Sequence, residues 1–272
     1  MIPLALPSVL RRCLCILGLL IAHALLPVQA APADIGVVLL HGKWGTPNQM
    51  QALSRDLEAR GYRTSTPEMT WSGKRLYDRD YAAALKEIET AVRDLRARGI
   101  KRVVVAGQSL GANGAAAYAA SGLDLDGLVL MAPGHFPDRG MGGKPLQDSL
   151  ERARAMVAAG QGEAPGTFLD FNQGRQRQLS LKAAVYVSFF EPEGLGAMTR
   201  NVPRFVKPLP LLLAIGTQDV FHPYSKAMFD SAPAHPLSHY ASLEADHLGL
   251  PNLVSAEMLK WLDRIDSQAA RP

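Results

Sequence analysis

The sequence predicts an α/β fold built on a mostly parallel sheet of about six strands. Two observations carry this. Segments with strand character alternate along the chain with segments of helical periodicity. The strand segments are also continuous apolar runs rather than apolar–polar alternations, as expected of strands covered on both faces.

The elements follow in order. "DIGVVLLHG" (34–42) is a strand ending in a glycine turn. "TPNQMQALSRDLEARG" starts as a helix should, with Thr46 as N-cap, Pro47 at the first helical position and Gln49 closing a capping box. Met50, Leu53 and Leu57 keep helical spacing, and Gly61 ends the helix. "YRTSTPE" is the second strand. A loop carrying Trp71, Gly73 and Tyr77 leads to a helix over 81–98, stopped by Gly99. "KRVVVAG" is the third strand, "DGLVLMAPG" (126–134) the fourth, "PLPLLLAIG" (208–216) the fifth and "LSHYASLE" (237–244) the sixth. A last helix runs from about Asn252 to Ile265.

One interval breaks the rhythm. Residues 135–207 far exceed an ordinary connection and read as an inserted helical cap. Its helices are expected in "DSLERARAMVAAG" and "QRQLSLKAAVYVSFF". A crossover helix with long surface loops is the alternative reading.

The first thirty residues read as a cleavable secretory signal: Arg11 and Arg12, then the apolar "CLCILGLLIAHALL", then "VQA". Cleavage is expected after Ala30, which leaves 31–272 as the mature domain, periplasmic or secreted. The apolar run is short for a membrane span, so no stable insertion is expected, with an uncleaved anchor as the alternative. Both cysteines, Cys13 and Cys15, fall in this segment, so the mature chain would hold no disulfide and no thiolate. Formal net charge is +4, of which Arg11 and Arg12 supply two, and no basic block argues for a nucleic-acid partner.

The chemistry concentrates in "VVVAGQSLGANGAAAYAA" (103–120), where a strand pattern becomes a helix pattern. A serine hydroxyl is a weak nucleophile until it is exposed and paired with a base. A sharp strand-to-helix turn exposes Ser109, and Gly107 and Gly111 leave room for that turn. The following helix points its N-terminus at a developing negative charge. His247, in "EADHLGLPN" past the last strand, is the candidate base. His235 and His239 lie at or before that strand, and His222 follows too closely on the acid. Asp219, three residues past the strand-ending glycine of "LLLAIGTQD", is the candidate orienting acid. Asp246 adjoins the histidine and Asp230 lies in the next helix, so both are poorer rivals. The oxyanion donors should be the N–H groups of Leu110 and Lys43, with Trp44 the second choice to Lys43. The side chains of Lys43 and Trp44 could face substrate or cover the sheet edge.

In this order, and each at a strand end, "HGKWG", "GQSLG", "IGTQD" and "ADH" resemble the α/β-hydrolase superfamily. The resemblance implies a doubly wound sheet, a variable cap, no cofactor and a triad of Ser109, His247 and Asp219, with Lys43 and Leu110 as oxyanion donors. It also implies that the mature chain begins at the family's third strand, so the sheet should be small. No metal-ligand spacing and no phosphate-loop or dinucleotide pattern is present, and no metal site is expected. The expected activity is hydrolysis of a small-molecule ester or amide. A peptidase and a non-catalytic periplasmic binding or assembly protein are the alternatives. Phe168, Phe171, Tyr186, Phe189 and Phe190 of the cap could line an acyl pocket or serve as packing.

Overall fold

The computed structural model describes residues 34–140 and 142–269. Residues 1–30, read above as a secretory signal and holding both cysteines, lie outside them. The elements are β1 (Ile35–Leu40), α1 (Gln51–Ala59), β2 (Arg63–Ser65), α2 (Tyr81–Ala97), β3 (Arg102–Ser109), α3 (Leu110–Ala120), β4 (Gly127–Pro133) and α4 (Gly143–Ala158). They continue with β5 (Pro165–Asn172), β6 (Arg175–Lys182), α5 (Ala183–Phe190), β7 (Leu211–Gly216), α6 (His222–Ser231), β8 (His239–Leu243) and α7 (Ser255–Ala269), with short single turns between.

Six strands form one parallel sheet in the order β2-β1-β3-β4-β7-β8. Strands β1, β4 and β7 are buried along their whole length, which accounts for their unbroken apolar character. The sheet grows outward from β1 to β2, then turns back to β3 on the other side. In such sheets the crevice for a ligand opens at the carboxyl ends of the strands where the order reverses. Here that is the junction of β1 and β3.

Helix α3 is buried on nearly every side, and its small residues let it pack closely on the sheet. Helix α2 buries Tyr81, Leu85, Ile88, Val92 and Leu95 on one face, and the Asp80 side chain caps it by accepting the Ala83 N–H at 2.7 Å. No helix of the described residues is long and apolar enough to cross a membrane.

Three sequence expectations need correction. Thr46 makes no side-chain cap: Pro47–Met50 is a 3-10 turn, and the α-helix proper begins at Gln51. Gln49 does not close a capping box either, because its Oε1 accepts the Gly42 N–H at 3.1 Å. The turn after β1 would otherwise leave that donor unpaired. The second correction concerns "QRQLSLKAAVYVSFF". Its first half is strand β6, paired antiparallel with β5, and only Ala183–Phe190 is helical. The alternation is visible in hindsight: Leu179 and Leu181 are buried, while Gln178, Ser180 and Lys182 face out. Gln173 and Gly174, at φ +49° and +75°, supply the left-handed turn that a tight hairpin requires. The 135–207 interval therefore carries a hairpin as well as helices. Third, the last helix begins at Ser255, after a separate turn at Leu250–Leu253.

Candidate active site

Ser109 ends β3 with φ +56° and ψ −117°. A residue with a Cβ is strained there, at a cost of about 1–3 kcal/mol, and such strain clusters at functional sites. The neighbouring glycines are needed for space. A Cβ on Gly107 would stand 2.1 Å from the Gly111 carbonyl oxygen, and one on Gly111 would stand 2.3 Å from that of Leu40. Gly111 thus brings α3 against the end of β1 as well as serving the turn.

The loop after β8 carries His247, which is 7% exposed. Its Nδ1–H donates to Asp219 Oδ2 at 2.7 Å. The other oxygen of Asp219 accepts the Phe221 N–H at 2.9 Å, so the carboxylate is fixed from both sides. His247 Nε2 is left as a buried atom with no partner among the described residues. Ser109 and His247 line one cleft of about 290 Å³. A methyl group at Gly134 would lie 2.6 Å from Ser109 Oγ and 3.5 Å from His247 Cε1, so the two side chains stand on either side of that one position.

The sequence marks Gly134 only as the end of a strand. Its role at the site follows from the empty space above it. The Gly134→Ala variant should retain the wild-type far-UV spectrum and lose about 10²–10³ in kcat on p-nitrophenyl acetate, because the new methyl displaces the hydroxyl.

Lys43 also lines the cleft, and Leu110 follows Ser109 directly. Leu110 is the first residue of α3, whose leading N–H groups have no carbonyl a turn earlier. The Lys43 N–H has no partner among the described residues, whereas the Trp44 N–H donates to Trp71 O at 2.9 Å. Trp44 is therefore not available as a donor. The rival residues are engaged elsewhere. Asp246 accepts the Gly249 N–H at 2.6 Å, Asp230 pairs with Lys226 at the surface, and His222 bonds Ser242 Oγ at 2.8 Å.

The alpha/beta hydrolase family model matches residues 37–260. This chain belongs to the alpha/beta hydrolase family. No curated protein matches it. The fold is similar to that of a structure of the metagenome-derived lipolytic enzymes LipS and LipT (17% identity, 86% of this chain and 95% of that one, TM-score 0.61). It is similar to a Paleococcus ferrophilus monoacylglycerol lipase (17% identity, 85% and 95%, TM-score 0.62). A soluble variant of monoglyceride lipase from Saccharomyces cerevisiae also shares it (16% identity, 87% and 88%, TM-score 0.60). At these identities the likeness is one of fold.

This alpha/beta hydrolase holds three polar anchors around the cleft that sequence reasoning missed. The first is Gln108, inside "GQSLG", whose Nε2 donates to the His247 carbonyl at 3.1 Å. It ties the serine turn directly to the histidine loop. A Cβ on Gly42 would strike Gln108 Oε1 at 2.3 Å, so that glycine makes room for the anchor.

The second is Asp170 on β5, fully buried. It accepts from Lys43 Nζ at 2.6 Å, Trp44 Nε1 at 2.9 Å, Tyr77 OH at 2.7 Å and its neighbour's N–H, that of Phe171, at 2.7 Å. Asn172 Nδ2 donates to the Lys43 carbonyl at 3.0 Å. The Lys43 and Trp44 side chains thus fasten the hairpin to the loop after β1, and Lys43 also lines the cleft. The third anchor is Asn113, which accepts from Tyr81 OH and donates to the carbonyls of His135 at 2.7 Å and Gly196 at 2.8 Å.

The cap aromatics divide between two roles. Phe168, Tyr186 and Phe190 stack in a row, with centroids 4.7 and 4.3 Å apart, and Phe189 packs on Tyr77 and Tyr81. Phe171 and Phe190 line the cleft.

His135, also on the cleft, donates Nε2–H to Phe189 O at 2.8 Å, and burial together with the Lys43 ammonium pushes its pKa down to about 3. Burial lowers that of His41 as well, whose Nε2 accepts the Met69 N–H at 3.1 Å. Both histidines fold neutral but protonate near 6.5 when unfolded. The unfolded chain therefore binds more protons below that value, and stability falls as pH drops through it. His135 alone should cost about 2 kcal/mol at pH 5 relative to pH 7.5. Denaturant titrations at the two pH values should register this loss, and His135→Gln should reduce it.

Proposed function

We propose that the chain is an exported serine hydrolase that cleaves carboxylic ester bonds through an acyl-enzyme. The observation that carries this reading is His247 Nε2. It is buried with no partner among the described residues and shares a cleft with Ser109, while Asp219 accepts from the opposite ring nitrogen. A lone pair in that position is what a base for Ser109 requires.

Ser109 Oγ attacks the ester carbonyl carbon as its proton passes to His247 Nε2. The negative charge formed on the carbonyl oxygen meets the N–H groups of Lys43 and Leu110. Collapse breaks the bond to the alcohol oxygen, which takes the proton from Nε2 and leaves. Water then gives a proton to Nε2 and attacks the acyl carbon; the bond to Ser109 Oγ breaks, Oγ takes the proton back from Nε2, and the carboxylic acid leaves. An amide would follow the same course with an amine leaving. Asp219 stabilises the imidazolium throughout. Export rests on the 1–30 sequence pattern.

The test is labelling with a fluorophosphonate ester, which phosphonylates only an activated serine. Expected is a single adduct on the Ser109 peptide by mass spectrometry, absent from Ser109→Ala and accompanied by loss of p-nitrophenyl acetate hydrolysis. An inert Ser109 in a folded chain would overturn the enzyme reading and favour a binding protein on the same scaffold.

A further inference from the structure

Behind one wall of the cleft lies a second cavity of about 280 Å³. Pro133 at the end of β4, Ile215 on β7 and Met228 on α6 form its apolar lining. Phe136 and Phe221 line both spaces, and their rings pack 4.9 Å apart at 57°. The partition is therefore one layer of aromatic rings. Phe221 also meets the His247 ring edge-on at 6.3 Å.

Ser225, Arg139 and Tyr224 add polar groups to this lining, of which Ser225 is tied up within the protein. Ser225 Oγ donates to His222 O at 2.7 Å and pairs with Tyr240 OH at 2.8 Å. The Arg139 guanidinium sits over the Tyr224 ring at 5.7 Å. Most of the surface the cavity offers a ligand is apolar, contributed by Pro133, Phe136, Ile215, Phe221 and Met228, which suits a hydrocarbon chain.

We propose that it receives the alkyl chain of the leaving alcohol, admitted when the Phe136 and Phe221 rings part. This rests on the ester reading above. The choice of alcohol over acyl chain comes from topology. The proposed oxyanion donor Lys43 follows β1, on one side of Ser109. Asp219, Phe221 and His247 follow β7 and β8, on the other. The cavity lies between the ends of β4 and β7, beyond Phe221. The oxygen that His247 protonates leaves towards that side. The cap wall at Phe171 and Phe190 is left for the acyl group.

The experiment compares two ester series on the full folded chain. One is n-alkyl acetates from ethyl to octyl, followed by pH-stat, and the other is p-nitrophenyl esters from acetate to octanoate. In the acetate series kcat/KM should rise about four-fold per added methylene until the cavity is filled. Met228→Trp fills the cavity from α6. It should lower the octyl-to-ethyl ratio at least ten-fold and leave the octanoate-to-acetate ratio of the other series as in wild type. Phe136→Ala opens the partition and should raise the octyl-to-ethyl ratio, which carries the test should the tryptophan variant fail to fold. A flat response to alcohol length, or a Met228→Trp effect confined to the acyl series, would overturn the proposal while leaving the ester reading intact. No turnover of either series would overturn both.

Discussion

Asp219→Asn should lower kcat on p-nitrophenyl acetate by roughly 10⁴ with little change in fold. The native carboxylate has one oxygen on the His247 Nδ1–H at 2.7 Å and the other on the Phe221 N–H at 2.9 Å. An asparagine offers one oxygen for two donors. If that oxygen stays with the Phe221 N–H, the amide NH₂ faces Nδ1 and favours the tautomer protonated on Nε2. The lone pair directed at Ser109 is then lost. Steady-state kinetics beside a thermal melt separates this outcome from unfolding, because a structural role alone would move the melting temperature first.

The second large effect is on stability. Asp170→Asn should destabilise the domain by about 3–5 kcal/mol, since it leaves the Lys43 ammonium buried opposite an uncharged group. The pair is 7% and 0% exposed, so water cannot compensate. For a domain of this size the melting temperature should fall on the order of 10 °C. Calorimetry checks this. The double variant Lys43→Met/Asp170→Asn should recover part of the loss, because it removes the stranded charge. The single variant should also lower kcat, since Asp170 and Asn172 hold the loop that carries the proposed Lys43 donor.

The sheet was legible because strands covered on both faces write themselves as unbroken apolar runs, and no tertiary contact is needed to see them. "GQSLG" was legible because steric demand leaves glycine little competition at 107 and 111. Hairpin β5–β6 was not. Its inward face carries few apolar residues, and the strong helix pattern of "AAVYVSFF" ran backwards into it. Asp170 and Gln108 were hidden for a different reason. A buried carboxylate and an ordinary surface one are the same letter, and only the arrival of Lys43, Trp44 and Tyr77 from 93 or more residues away tells them apart. Gly134 was missed because its function is an absence of atoms.

The two buried polar junctions of the cap region, Asp170 with Lys43, Trp44 and Tyr77, and Asn113 with His135 and Gly196, bear on how substrate enters. Swinging this layer aside would pull an ion pair apart without solvent to receive it, a motion with a steep barrier. Access is then set by a standing aperture, and molecules are sorted by whether they can thread it one at a time. On the ester reading proposed above, such a site would act on dissolved monomers rather than at an oil–water boundary.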